Sequence, residues 1–304
     1  MSHTLIVVGS LNMDLVVRAP RHPRPGETLI GSQFQTFPGG KGANQAVAAA
    51  RLGAKVRMIG RVGQDAFGDA LLQTARQDGV DTTFIRRDPN AATGVALITL
   101  DEAGQNTIVV ASGANMQVSA QDIEQAAAAF EGASLLLMQL ECPLEAVEAA
   151  AELAQRYSIP VVLNPAPARP LPQSLLARVD YLLPNQHELQ LLAEGEADYA
   201  TAAARLISNG VRNLVVTLGE EGALLVTPQS QETLPAFKVP VVDTVAAGDA
   251  FAAAFCVALA EGKSLRDAVL WGNAAGAIAV TRPGAQPSMP NREELIQFLK
   301  ERGL

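Results

Sequence analysis

The chain has 304 residues, 48% of them hydrophobic, 18% charged and only 4% aromatic, with a formal net charge of −8. Such a chain can bury a large core of Ala, Val and Leu, and its acidic balance argues against a nucleic-acid backbone as partner. No apolar run approaches the ~20 residues of a membrane span, the first apolar run lacks a basic leader, and two distant cysteines, Cys142 and Cys256, give no disulfide framework. A cytoplasmic protein engaging neither nucleic acid nor membrane is expected.

In chain order, short continuous apolar runs predict strands over residues 5–8, 56–59, 134–138, 161–163, 181–183, 214–217 and 223–226, as strands covered on both faces require. Periodic stretches predict helices over 44–52, 67–78, 120–130, 144–157 and 199–208. Gly53, Gly79 and Gly210 stand just past three of them, where a left-handed cap is wanted. Helices over 247–261, 265–280 and 292–301 close the chain. The alternation predicts an α/β fold with a doubly wound, mostly parallel sheet flanked by helices, one domain over 1–304. Segments 14–37 and 93–110 break the pattern. They are rich in Val, Ile, Thr, Phe and Gly, and 97–100 with 106–110 read as a hairpin. Together they predict a small, discontinuous β-sheet lid, whose exposed apolar surface invites a homodimer.

The richest chemistry lies in Val242-Asp243-Thr244-Val245-Ala246-Ala247-Gly248-Asp249-Ala250-Phe251. A β-branched run leads in and an Ala-rich helix leads out, so unpaired main-chain N–H groups of Ala246, Ala247, Gly248 and Asp249 converge on one spot. A carboxylate there would repel a bare anion. It makes sense if Asp249 handles a proton while the amides steady a transferring phosphoryl group. Three glycines within four residues (Gly39, Gly40, Gly42) around Lys41 let backbone approach a ligand, and Asn44 suits a polyol. This is not a dinucleotide fingerprint, since Gln45 stands where a third Gly is needed. The Gly262-Lys263-Ser264 run is no P-loop, since Val257 stands where its leading Gly belongs; it reads as a helix cap. After the first strand, Asn12 and Asp14 alternate and face one way. A carboxylate there suits a vicinal diol, though an Asx turn explains the segment equally well. Glu141, Asn185 and the turn Thr217-Leu218-Gly219-Glu220-Glu221-Gly222 sit at carboxyl ends of other strands, where parallel sheets bind ligands. The 281–288 loop with Asp243 could cage a monovalent cation, but a helix-terminating loop accounts for it as well.

These motifs resemble the ribokinase-like carbohydrate kinase family over essentially the whole chain. The resemblance rests on Gly9-Ser10-x-Asn12-x-Asp14, Gly39-Gly40-Lys41-Gly42-Ala43-Asn44-Gln45-Ala46, Met138-Gln139-Leu140-Glu141, Asn164-Pro165-Ala166-Pro167-Ala168, Asp243-Thr244-x-Ala246-Ala247-Gly248-Asp249 and Gly284-Ala285-Gln286-Pro287-Ser288. It implies ATP-dependent phosphorylation of an exocyclic sugar hydroxyl, O5 of D-ribose, with Mg²⁺ on the nucleotide and Asp249 as base. It implies sugar contacts from Asn12, Asp14, Gly40, Lys41, Gly42, Asn44 and Glu141. Nucleotide contacts fall to Asn185, the 217–222 turn, Gly248 and Asn273. An activating K⁺ site falls to Asp243, Val245, Ala279, Arg282, Gly284 and Ser288, mostly through carbonyls. Ala252 and Ala253 stand where many members carry Asn-Gly, Asn273 where some carry His and Pro283 where some carry Lys, which blurs nucleotide preference. Another sugar or nucleoside kinase of the family, such as a deoxyribokinase, and a non-catalytic sugar-binding regulator are the rival readings.

Overall fold

The computed structural model describes residues 3–196 and 198–304. In chain order the elements are β1 (Thr4–Val8), β2 (Asn12–Arg18), β3 (Gln33–Gly39), α1 (Lys41–Arg51), β4 (Lys55–Gly63), α2 (Ala66–Gln77), β5 (Val80–Asp81), β6 (Ile85–Asp88), β7 (Gly94–Leu100), β8 (Asn106–Ala111), α3 (Ala120–Gln125), β9 (Leu135–Met138), α4 (Leu144–Arg156), β10 (Val161–Leu163), α5 (Gln173–Leu176), β11 (Tyr181–Leu182), α6 (Gln186–Leu192), α7 (Tyr199–Ser208), β12 (Asn213–Thr217), β13 (Ala223–Val226), β14 (Gln231–Leu234), α8 (Ala247–Ala260), α9 (Leu265–Ala279) and α10 (Arg292–Lys300).

The main sheet runs β14-β13-β12-β11-β10-β9-β1-β4-β5, with β6 beside the end of β4. Its pairings are parallel except at one edge, where β12, β13 and β14 meander antiparallel. Successive residues of β1 serve opposite layers. Leu5 and Val7 join a core with α1, α8 and α9, while Ile6 and Val8 join one with α4 and α7. That two-sided burial is why the strands read as unbroken apolar runs. Helix α8 is buried over nearly its whole length because α1 and α9 cover it. Truncating its fully buried Phe255 to Ala would cost about 3–5 kcal/mol.

The predicted 120–130 helix is interrupted. Helix α3 stops at Gln125 and a 3₁₀ turn follows over Ala127–Phe130. Nothing local stops an Ala-rich run. The Arg57 guanidinium, however, takes the carbonyls of Ala129 and Glu131 at 2.9 and 2.8 Å, a tertiary claim on the acceptors that end this segment. The cap readings hold: Gly53, Gly79 and Gly210 all have positive φ, and the Ser264 hydroxyl accepts from Asp267 N at the start of α9.

The second sheet has the order β3-β2-β7-β8. Pairs β2–β3 and β7–β8 are antiparallel, and β2–β7 is parallel. It starts at Asn12 and its second strand runs on to Gly39, so it is rooted in the motifs themselves. The sheet leaves Phe34, Leu97 and Val109 exposed on one face and Ile108 and Val110 on the other, each at least 50% exposed.

Candidate active site

Gly40 caps α1 with φ 89°, and an added Cβ there would lie 2.7 Å from Asn12 N. At Gly42 the same atom would lie 2.6 Å from Ser10 N. These two glycines let the N-terminus of α1 close onto the turn after β1. Glu141, leaving β9, fills that junction. Its Oε2 accepts from Ser10 Oγ at 2.5 Å and from Lys41 N at 3.1 Å, a carboxylate at the positive end of a helix.

Asn12 is buried at the start of β2, and its Oδ1 accepts from Asn115 Nδ2 at 2.7 Å. Asn115 is itself fixed by Leu11, whose N–H donates to Oδ1 and whose carbonyl takes Nδ2. Two residues along β2, the Asp14 carboxylate packs against Gly39. Burial, reinforced by Glu141, pushes Asp14 from the ordinary 3.8 up to about 6.

Asp249 sits in the first turn of α8 and is buried. Its Oδ2 accepts from Asn44 Nδ2 at 3.0 Å and its Oδ1 from Gln45 Nε2 at 2.8 Å. Burial raises its carboxyl above the ordinary 3.8, while Lys41 and the two amide donors oppose the rise. Burial alone would lower Lys41. Asp249, Glu141 and Glu188 outweigh it and hold the ammonium above its ordinary 10.5.

Ala246 precedes α8 in the left-handed region, φ 60°. For a residue with a Cβ that conformation costs about 1–2 kcal/mol. It turns the chain so that the N–H groups of Ala246, Gly248 and Asp249 find no main-chain acceptor among the described residues, whereas Ala247 N reaches back to Thr244 O at 3.4 Å. An added Cβ on Gly248 would meet nothing within 4 Å, so this turn faces open space. That space is a cavity of ≈ 230 Å³ lined by Lys41, Asn164, Asn185, Glu188, Thr217, Thr244, Ala246, Gly248, Asp249 and Phe251.

The remaining residues distribute unevenly. Asn185 caps α6 in a reciprocal box with Glu188, and both line the cavity. Of the 217–222 turn only Thr217 lines it. Leu218 is buried, Gly219 and Gly222 have positive φ, and Glu220 and Glu221 are exposed. Asn273 lies on α9 and spends its Nδ2 on the carbonyls of Leu234 and Pro235, both at 3.2 Å, away from the cavity wall. Of the expected cation residues, Asp243, Val245 and Gly284 meet directly. Asp243 takes Val245 N at 3.0 Å on one oxygen and Gly284 N at 2.9 Å on the other. Ser288 is fully buried and donates to Ala285 O, Arg282 pairs with Glu294, and Ala279 ends α9. Glu188, Gln45 and Asn164 were not predicted as site residues. Glu188 had a sequence signal, Asn185-x-x-Glu188, but that pattern reads equally as a capping box.

A buried carboxylate beside unpaired helix-terminal amides, with a lysine opposite and polar groups at several strand ends, defines an α/β phosphotransferase acting on a hydroxyl. The pfkB family carbohydrate kinase model matches residues 2–292, and the chain belongs to that family. It is 42% identical to a ribokinase of Haemophilus influenzae over 99% of both chains, and 38% identical to a deoxyribokinase of Salmonella typhi over 97% of this chain and 98% of that one. The solved structure of Arabidopsis thaliana ribokinase complexed with ribose and ATP superposes with a TM-score of 0.91 at 35% identity, covering 99% of each chain.

Proposed function

We propose that this chain transfers the γ-phosphoryl group of ATP to O5 of D-ribose. The observation that carries the reading is Asp249, buried at the start of α8 beside the N–H groups of Gly248 and its own main chain, which find no main-chain acceptor among the described residues. In a loose transition state the proton leaves the sugar hydroxyl late, so Asp249 mainly aligns the nucleophilic oxygen and then takes the proton. The burial-raised pKa of Asp249 brings it nearer to that task than an exposed carboxyl would be. The amides of Ala246, Gly248 and Asp249 are the donors aimed at charge on the phosphoryl oxygens, and losing one such donor costs about 3 kcal/mol of barrier. Asn12, Asp14, Gly40, Lys41, Gly42, Asn44 and Glu141 hold the sugar. The Oδ1 of Asn44, buried without a partner among the described residues, is an acceptor for one of its hydroxyls. Asn185, Thr217 and Gly248 hold the nucleotide, with the rest of the 217–222 turn and Asn273 lying off the cavity wall.

Two ions accompany this reading. Glu188 and Asn185 fit a hydrated Mg²⁺ carried on the nucleotide, since Mg²⁺ needs few protein carboxylates when phosphates supply the rest; it neutralises phosphate charge. For K⁺ the fit rests on carbonyls of Val245, Arg282 and Gly284 that accept no main-chain hydrogen bond among the described residues, with Asp243 pinning the two loops together. A cation there adds positive field behind the amides. The exposed apolar face of the lid supports a homodimer through that sheet.

A coupled assay of ADP release over pentoses, hexoses and nucleosides tests the substrate. D-Ribose is expected to give the highest kcat/KM, and release driven best by a nucleoside would overturn the assignment. The deoxyribokinase relative favours 2-deoxyribose as the second reading. A higher kcat/KM for 2-deoxyribose than for ribose would establish it. Sugar binding with no ADP release would instead establish a non-catalytic regulator.

A further inference from the structure

Three polar contacts converge on the fully buried Gln45, on the second turn of α1. Its Nε2 donates to Asp249 Oδ1 at 2.8 Å and to Asn164 Oδ1 at 3.0 Å, and its Oε1 accepts from Gln139 Nε2 at 2.5 Å. The direction of this chain is set at its far end. Asn164 Nδ2 donates to the main-chain carbonyl of Leu183 at 2.9 Å, and a carbonyl can only accept. Asn164 must therefore turn its Oδ1 toward Gln45. Facing that acceptor, Gln45 must present Nε2, whose second hydrogen reaches Asp249. Gln139 supplies the matching donor on the other side. A flipped Gln45 amide would set oxygen against Asp249, against Asn164 and nitrogen against nitrogen at Gln139.

Resting on the reading of Asp249 as base, we propose that Gln45 is its positioning residue, locked by Asn164 and Gln139 so that an N–H always faces the carboxylate and keeps it ionised and fixed in rotation. Desolvation favours the neutral acid, and a buried amide donor counters it. The other charged groups facing Asp249 are Lys41 on α1, Glu141 after β9 and Glu188 on α6. Lys41 favours the ionised form and the two carboxylates oppose it. None of them hydrogen-bonds the Gln45 side chain among the described residues, so their contributions stay when the amide is removed.

The test is the pH dependence of kcat at saturating ribose and ATP, which removes titration of the sugar-binding Asp14 from the profile. Gln45→Met keeps the side-chain length and removes the donor. The base must be ionised, so losing a donor raises its pKa and moves the acid limb to higher pH, by about one to two units. Asn164→Leu, which unlocks the amide without touching Asp249, is expected to move the limb the same way by less. Gln45→Met, at a residue off the cavity wall, is expected to bind ribose within about threefold of the native Kd by calorimetry. A lowered kcat with an unmoved acid limb in both variants would overturn the proposal, since a packing role predicts that pattern. Asp249→Asn is run in parallel. If it abolishes turnover while the acid limb of Gln45→Met stays fixed, the relay fails and the base assignment stands. If it turns over normally, both fail. Should Gln45→Met not fold, the Asn164→Leu profile decides alone.

Discussion

In its proposed sugar-binding role, Asp14 is expected to make sugar affinity pH-dependent in a range where an ordinary aspartate would not. Its carboxyl is pushed from 3.8 to about 6 by burial and by Glu141. As the proposed acceptor for two sugar hydroxyls it must be ionised. At about pH 5 only about a tenth of it is ionised, so the ribose KM is expected to be about tenfold above its value at pH 7.5, whereas an unperturbed Asp would have lost less than a tenth of its charge. The assay is coupled ADP release, with KM for ribose and for ATP followed over this range. Glu141→Gln removes the second cause of the shift and is expected to move the inflexion to lower pH. Asp14→Asn is expected to raise the ribose KM and flatten its pH dependence. The same shift has a stability signature. A rise of about two units costs the folded state about 3 kcal/mol wherever the carboxyl is charged. The raised pKa makes this cost fully present above about 6 and absent below 3.8. Asp14→Asn is therefore expected to unfold at higher temperature than the native chain near neutral pH, with the gain fading as pH falls through that window. A ribose KM that stays flat down to pH 5, or an ATP KM that rises in parallel, would refute the reasoning.

Asp249→Asn is expected to lower kcat by at least ~10²-fold while calorimetric binding of ribose and ATP persists. Replacing K⁺ by a bulky organic cation is expected to lower kcat. K⁺ is also expected to raise the melting temperature of the native chain but not of Asp243→Ala, which frees Val245 N and Gly284 N from their shared carboxylate. The combined Phe34→Asp and Val109→Asp change on the exposed lid face is expected to give a monomer by sedimentation equilibrium, and an unchanged assembly would exclude that face as the interface.

The fold was legible where local and tertiary demands agree. β10, β13 and α7 fall at the predicted residues because continuous apolar runs and a 3.6-residue period describe two-sided burial directly. The lid was legible as alternating, non-helical sequence, but not its parallel β2–β7 pairing, which depends on a crossover through most of the intervening chain. The break after Gln125 was not legible, because no local residue in this Ala-rich run marks it and the Arg57 contacts that fix the segment's end, at Ala129 and Glu131, come from β4. In the site, glycines and the helix-start carboxylate announce themselves through spacing. Gln45, Asn164 and Asn115 do not. An amide reads as polar filler until the partner that orients it comes from a strand or turn over 100 residues away, as Leu11 and Asn115 do. The 217–222 turn shows the converse: polar, Gly-spaced sequence at a strand end, of which only Thr217 reaches the cavity wall.

The most direct measurement is a crystal structure of the chain with ribose and a non-hydrolysable ATP analogue. The sugar's terminal CH₂OH oxygen is expected within ~3 Å of the Asp249 carboxylate, with the γ-phosphate on the N–H groups of Gly248 and Asp249. A sugar bound with that oxygen turned away from Asp249, or phosphates seated elsewhere than at the start of α8, would contradict the account.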